Sequence, residues 1–159
     1  MKILFGRMAL VGLLLLPLRI CALDVAYGSF FTVRGVTLKN NRPVLPITRG
    51  QYANVRILDK KTFDRLADCK EPICKQEASG GQIEVTAIRA AKARSGMWIA
   101  DISVDSRWLL TFLVFQNPQK YGIVVPDVIR IEDTGWRRQV EDQISAAVDR
   151  LKQEDGNDL

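Results

Sequence analysis

Apolar residues recur along this chain at three spacings, and each spacing names a kind of element. The first is an unbroken run from Met8 to Leu18. The second is strict alternation, the mark of a strand with one buried face. Ala53, Val55 and Ile57 alternate with Tyr52, Asn54, Arg56 and Leu58. Within residues 82–90, Ile83, Val85 and Ala87 form an apolar face. Within residues 97–104, Trp98, Ala100, Ile102 and Val104 oppose Ile99, Asp101 and Ser103. Residues 108–115 (WLLTFLVF) are apolar on both faces, which predicts a central strand covered on each side. The third spacing is helical: Val140, Ile144, Ala147, Val148 and Leu151 share one stripe.

Turn chemistry divides the rest. Residues 24–33 read as a first strand and residues 35–47 as a hairpin. Asn40 and Asn41 suit its turn, because Asn tolerates a left-handed backbone. Pro43 and Pro46 lack ladder donors and push the returning arm to a sheet edge. A short helix is expected over residues 61–67, capped by Asp59 or Thr62, with Phe63, Leu66 and Ala67 as its stripe. Residues 121–131 read as one strand interrupted at Pro126. A last helix is expected over residues 136–152, capped by Asp133 or Thr134, and residues 154–159 as a disordered tail. The order predicts an α+β fold: one largely antiparallel sheet of six to seven strands, with the terminal helix over the face bearing Trp98, Trp108 and Phe112. Residues 23–153 form a single domain.

The opening run changes the picture of the whole. Lys2 and Arg7 precede it, and Ala22 follows as a small residue suited to cleavage. That is the layout of a signal peptide over residues 1–22, and the run is too short to span a bilayer as a helix. The expected product starts at Leu23, in the periplasm or outside the cell; acylation at Cys21 would anchor it instead. Export also alters the charge. The chain has 23 basic and 18 acidic residues, net +5; losing Lys2, Arg7 and Arg19 leaves 20 against 18, net +2. Nucleic-acid binding, which needs many clustered cations, loses its support.

Cys69 and Cys74 remain in D-C-K-E-P-I-C-K, and in an oxidising compartment an even pair reads as a disulfide. Pro72 supplies the turn that a bridge between them requires.

The chemistry on offer is sparse. The chain has no histidine, which removes His-based triads and His-ligated metals. Asp101, Ser103 and Asp105 share a strand face, but no turn glycine and no distal Glu follow in a calcium-loop register. Asp127, Glu132 and Asp133 could pair as acids and bases, yet nothing places them in one pocket. No cofactor fingerprint occurs. The expectation is therefore a non-catalytic exported protein that recognises an envelope protein, with Tyr52, Asn54 and Arg56 on the polar face of a strand and Arg49 on the arm before it as binding residues. The alternative is a carrier of a lipid or another small apolar ligand inside a barrel.

Overall fold

A computed structural model describes residues 22–47, 54–91 and 95–157. In chain order its elements are β1 (Ala22–Tyr27), β2 (Phe31–Lys39), β3 (Arg42–Val44), β4 (Val55–Ile57), α1 (Lys60–Ala67), β5 (Ile73–Gln76), β6 (Ile83–Ala90), β7 (Met97–Val104), β8 (Trp108–Gln116), β9 (Tyr121–Val124), β10 (Ile129–Ile131) and α2 (Thr134–Asn157).

Pairs of left-handed residues close the tight hairpins. Asn40 and Asn41 (φ 51 and 56) turn β2 into β3, and Asp105 and Ser106 (φ 50 and 55) turn β7 into β8. This is the backbone that matches the twist of two antiparallel strands.

The class is α+β, but the strands form two five-stranded sheets instead of one sheet of six to seven. In sheet A, β1 lies between β5 and β2, and β10 and β3 share the far edge of β2. In sheet B, β7 lies between β6 and β8, and β4 and β9 share the far edge of β8. Every pairing is antiparallel except that of β1 with β5.

Three differences from the expected layout explain the second sheet. Residues 24–33 are not one strand, because Gly28 (φ 53) turns β1 back into β2. Residues 73–76, expected to be loop, pair with β1 from far along the chain. Residues 121–131 break at buried Pro126, so β9 finishes sheet B and β10 enters sheet A. In β6 an extra residue between Val85 and Ala87 shifts the register, so Ile88 replaces Ala87 on the inner face with Ile83 and Val85. At the end of the chain, α2 runs on through Asn157, into the residues expected to be a disordered tail.

The sheets face each other across one core. Trp108 of sheet B meets Tyr27 and Phe31 of sheet A at ring distances of 6.3 and 6.0 Å. Trp136 of α2 stacks on Phe31 at 5.7 Å. Val140, Ile144 and Val148 join that core, on the sheet face expected from the sequence. Asp59 caps α1 by accepting from the Thr62 N–H, and Asp133 caps α2 by accepting from the Trp136 N–H. No helix among the described residues is long and apolar enough to cross a membrane. The expected signal segment, with Cys21, lies outside the described residues except for Ala22, which opens β1.

One carboxylate ties these parts together. Asp105 accepts from the Tyr27 hydroxyl at 2.7 Å and from the N–H groups of Ser79, Gly81 and Gln82. The Gly81 carbonyl accepts from the Trp136 indole at 2.8 Å. Gly81 has φ 67, and a Cβ there would fall 2.6 Å from the Phe30 ring. Burial alone would raise the pKa of Asp105; the Tyr27 hydroxyl and the three amides outweigh it and hold the group below the usual carboxylate range. Burial, then the bond to Asp105, pushes Tyr27 up to about 12.

The signs fix a pH profile. A depressed Asp105 stabilises the fold above its unfolded value near ~4, and this is lost as the pH falls through the folded value. A raised Tyr27 contributes fully below its unfolded value near ~10 and is lost as the pH rises through about 12. Thermal melting against pH should show a plateau with a fall at each end. Asp105→Asn should lower the plateau and flatten the acid limb; an unchanged acid limb would exclude this carboxylate as its source.

Candidate functional site

The outer face of sheet B, turned away from sheet A, carries a belt of polar side chains across its strands. The register fixes its members. Asp101 of β7 lies opposite Thr111 of β8, and Arg89 enters from β6, two residues beyond Ala87, the partner of Asp101. The Thr111 hydroxyl donates to Asp101 Oδ1 at 2.7 Å, and Arg89 Nη2 donates to Asp101 Oδ2 at 2.6 Å. Beyond β8, Asn54 grips the backbone of Thr111: its carbonyl accepts from the Thr111 N–H at 2.9 Å, and its Nδ2 donates to the Thr111 carbonyl at 3.3 Å. Thr86, the bulged residue of β6, donates to the Asp101 carbonyl at 3.1 Å.

Burial makes this arrangement necessary. Asp101 is only 8% exposed and Thr111 6%. A carboxylate so withdrawn from water needs donors on its oxygens. Arg89 supplies the charged one while its side chain stays 56% exposed, so a guanidinium head remains at the surface. Arg56 stands on the same face, opposite Leu109, exposed and without an ion-pair partner among the described residues.

Of the four expected binding residues, Arg49 and Tyr52 lie outside the described residues. The structure puts Asn54 and Arg56 on one face, as the alternation predicts. The trio Asp101, Ser103 and Asp105 does not gather: Asp105 sits in the turn beneath Tyr27, while Asp101 belongs to the belt. No cluster suited to a metal occurs among the described residues. The acid–base candidates also separate: Asp133 caps α2, and Glu132 pairs with Arg130. Sequence reasoning did not join Arg89 and Thr111 to Asp101. The signal was a lone carboxylate, Asp101, inside an apolar strand, with an arginine on the preceding arm of the same hairpin.

Cys69 and Cys74 are neighbours with free thiols, not a formed bridge. Cys69 follows the last turn of α1, and Cys74 points inward from β5. Burial and then the Cys69 thiol push the Cys74 thiol up to about 12.

Elsewhere, along α2, the surface offers grooves. One, of about 390 Å³, lies between the β8–β9 turn and α2, where the Tyr121 hydroxyl donates to Asp149 at 2.5 Å. Lys152 stands over the rings of Trp98 and Tyr121 beside it, at 5.1 and 5.3 Å. Two more grooves, of about 360 and 270 Å³, run between β6 and α2. Fully buried Tyr27, Phe31, Trp108 and Phe112 lie between the sheets. The chain matches no family model, no curated protein and no solved structure.

The belt separates structural from surface residues in a measurable way. Asp101→Ala strands the Thr111 hydroxyl and removes the partner of Arg89, and should cost ~1–3 kcal/mol in urea unfolding. Arg56→Ala should change stability by no more than ~0.5 kcal/mol. Equal effects would remove the distinction.

Proposed function

We propose that this protein is exported and acts by recognition without turnover, binding an envelope protein through the outer face of sheet B. Asn54 and Arg56 lie in the contact, and Arg49 and Tyr52 are the other two binding residues of this reading. The observation that carries this reading is exposed Arg56, beside a belt whose other charges are bonded internally. Arginine is among the residues that most often carry binding energy at interfaces. The large aromatic side chains buried between the sheets favour surface recognition over carriage of an apolar ligand. Two carboxylates with displaced pKa values, Asp59 and Asp105, are engaged in a helix cap and in the turn bonded to Tyr27.

In-cell crosslinking compares the parent with Tyr52→Ala plus Arg56→Ala. The expected result is loss of a specific crosslinked partner at unchanged protein level. An unchanged pattern would defeat the proposed face, and a lipid co-purifying in stoichiometric amount would favour the carrier.

Export and oxidation belong to the same reading. Cleavage after Ala22 removes only the first, exposed residue of β1. The adjoining thiols of Cys69 and Cys74 close into a disulfide once an oxidant takes their hydrogens. So short a loop adds roughly 2 kcal/mol of stability. Intact mass of the exported, non-reduced protein should fit a chain beginning at Leu23 and lacking two thiol hydrogens. Two titratable thiols would defeat the bridge, and a lipid-modified Cys21 would replace the soluble product.

A further inference from the structure

The long open edge of sheet B is β6, which among the described residues pairs only with β7. We infer that this edge is a self-association surface: two copies of the chain join antiparallel through β6, with Glu84 of each opposite Arg89 of the other. This goes beyond the recognition proposed above and does not depend on it.

The backbone states which atoms are available. The Asp105 N–H donates to the Gln82 carbonyl at 2.9 Å, and the Ala91 N–H donates to the Met97 carbonyl at 2.8 Å. Antiparallel alternation counted from these two bonds turns Gln82, Glu84, Ala87, Arg89 and Ala91 toward β7. The N–H and C=O groups of Ile83, Val85, Ile88 and Ala90 therefore point outward. An outward row of this kind is satisfied by another strand.

The bulge decides which strand fits. In a regular strand, residues 84 and 89 would lie on opposite faces, as would 85 and 88. The extra residue at Thr86 puts Glu84 and Arg89 together on the outer face, opposite Ser103 and Ile99, and Val85 and Ile88 together on the inner face. A two-fold pairing centred between Thr86 and Ala87 then sets Val85 against Ile88 and Ile83 against Ala90. All four carry outward backbone groups, and each pair faces one side of the sheet. The same pairing sets Glu84 against Arg89 twice, where side chains approach most closely. An unrelated straight strand would lose step at the bulge, whereas a second copy carries the same extra residue.

The charges are free to meet. Glu84 is exposed and has no ion-pair partner among the described residues. Arg89 uses Nη2 for Asp101 and keeps its other donors. Along Val85 and Ile88 the groove beside this edge is lined from α2 by Ala147, Arg150, Leu151 and Glu154. The joined sheets would bring two copies of the polar belt onto one continuous face.

Analytical ultracentrifugation of the purified protein provides the test. The parent is expected to dimerise. Glu84→Arg alone and Arg89→Glu alone each set like charges opposite one another twice, and each should weaken the dimer roughly tenfold or more. A one-to-one mixture of these two variants restores both opposite-charge pairs and should recover the dimer, which a folding defect would not do. If Arg89→Glu fails to fold beside Asp101, Ile88→Pro decides instead. It removes an outward N–H without touching a bond to β7, and should give a folded monomer by circular dichroism. A monomeric parent at all concentrations, a mixture that stays monomeric, or a dimer indifferent to Ile88→Pro would overturn the proposal. Dimer loss in Ile88→Pro with no effect of either charge reversal would overturn the register.

Discussion

The fold depends on a carboxylate that cannot be left alone. Asp105 occupies a left-handed turn at one end of sheet B, partly withdrawn from water, and a charge there is tolerable only with donors around it. The donors come from elsewhere in the chain: a hydroxyl from sheet A and three amides from the glycine-bearing segment at 79–82. Meeting the needs of one charge thus fixes the relation of both sheets to that segment. The Gly81 carbonyl passes the constraint to Trp136, and so to the start of α2. Close packing of Phe30 against Gly81 explains why no side chain fits there.

With that corner fixed, the two faces of sheet B take different work. The inner face meets sheet A and α2 and is uniformly apolar along β7 and β8. The outer face holds a salt-bridged belt, which costs desolvation and returns little stability compared with apolar packing. Of the helices, α1 packs against both β3 and β4, bridging an edge of each sheet, while α2 runs beside β6 and leaves the outward backbone groups of that strand unpaired by any strand among the described residues. The second hairpin arm of sheet A is protected as well, being short and interrupted by Pro43.

Local features were legible in the sequence, and their chemistry explains why. Two asparagines in a row announce a left-handed turn, a stripe from Val140 to Val148 announces a helix with one buried face, and the alternation around Arg56 announces which side faces outward. Asp59 and Asp133, both expected as possible caps, do cap their helices. What stayed hidden depends on distant partners. β5 is four residues with an ordinary loop composition, and only pairing with β1 makes it a strand. The bulge at Thr86 leaves no mark in composition, since Ala87 and Ile88 are both apolar enough for the inner face. The belt was half visible: Asn54 and Arg56 follow from alternation, whereas Arg89 and Thr111 gain meaning only once β6, β7 and β8 lie side by side.

Pro126 carries a consequence of a different kind. By sending the chain from β9 into β10, it makes sheet A a composite of residues near both ends, with all of sheet B threaded between. Sheet A is then not a unit that could be completed before β10 is delivered. A chain delivered N-terminus first, whether from a ribosome or a translocation channel, holds β1 and β2 beside an empty edge until Ile129–Ile131 arrives. Such non-local closure is slow and favours a single late, cooperative transition over stepwise growth. The architecture therefore leaves the β2 edge of sheet A waiting while the strands of sheet B are delivered, and closes it only when Ile129–Ile131 follows them.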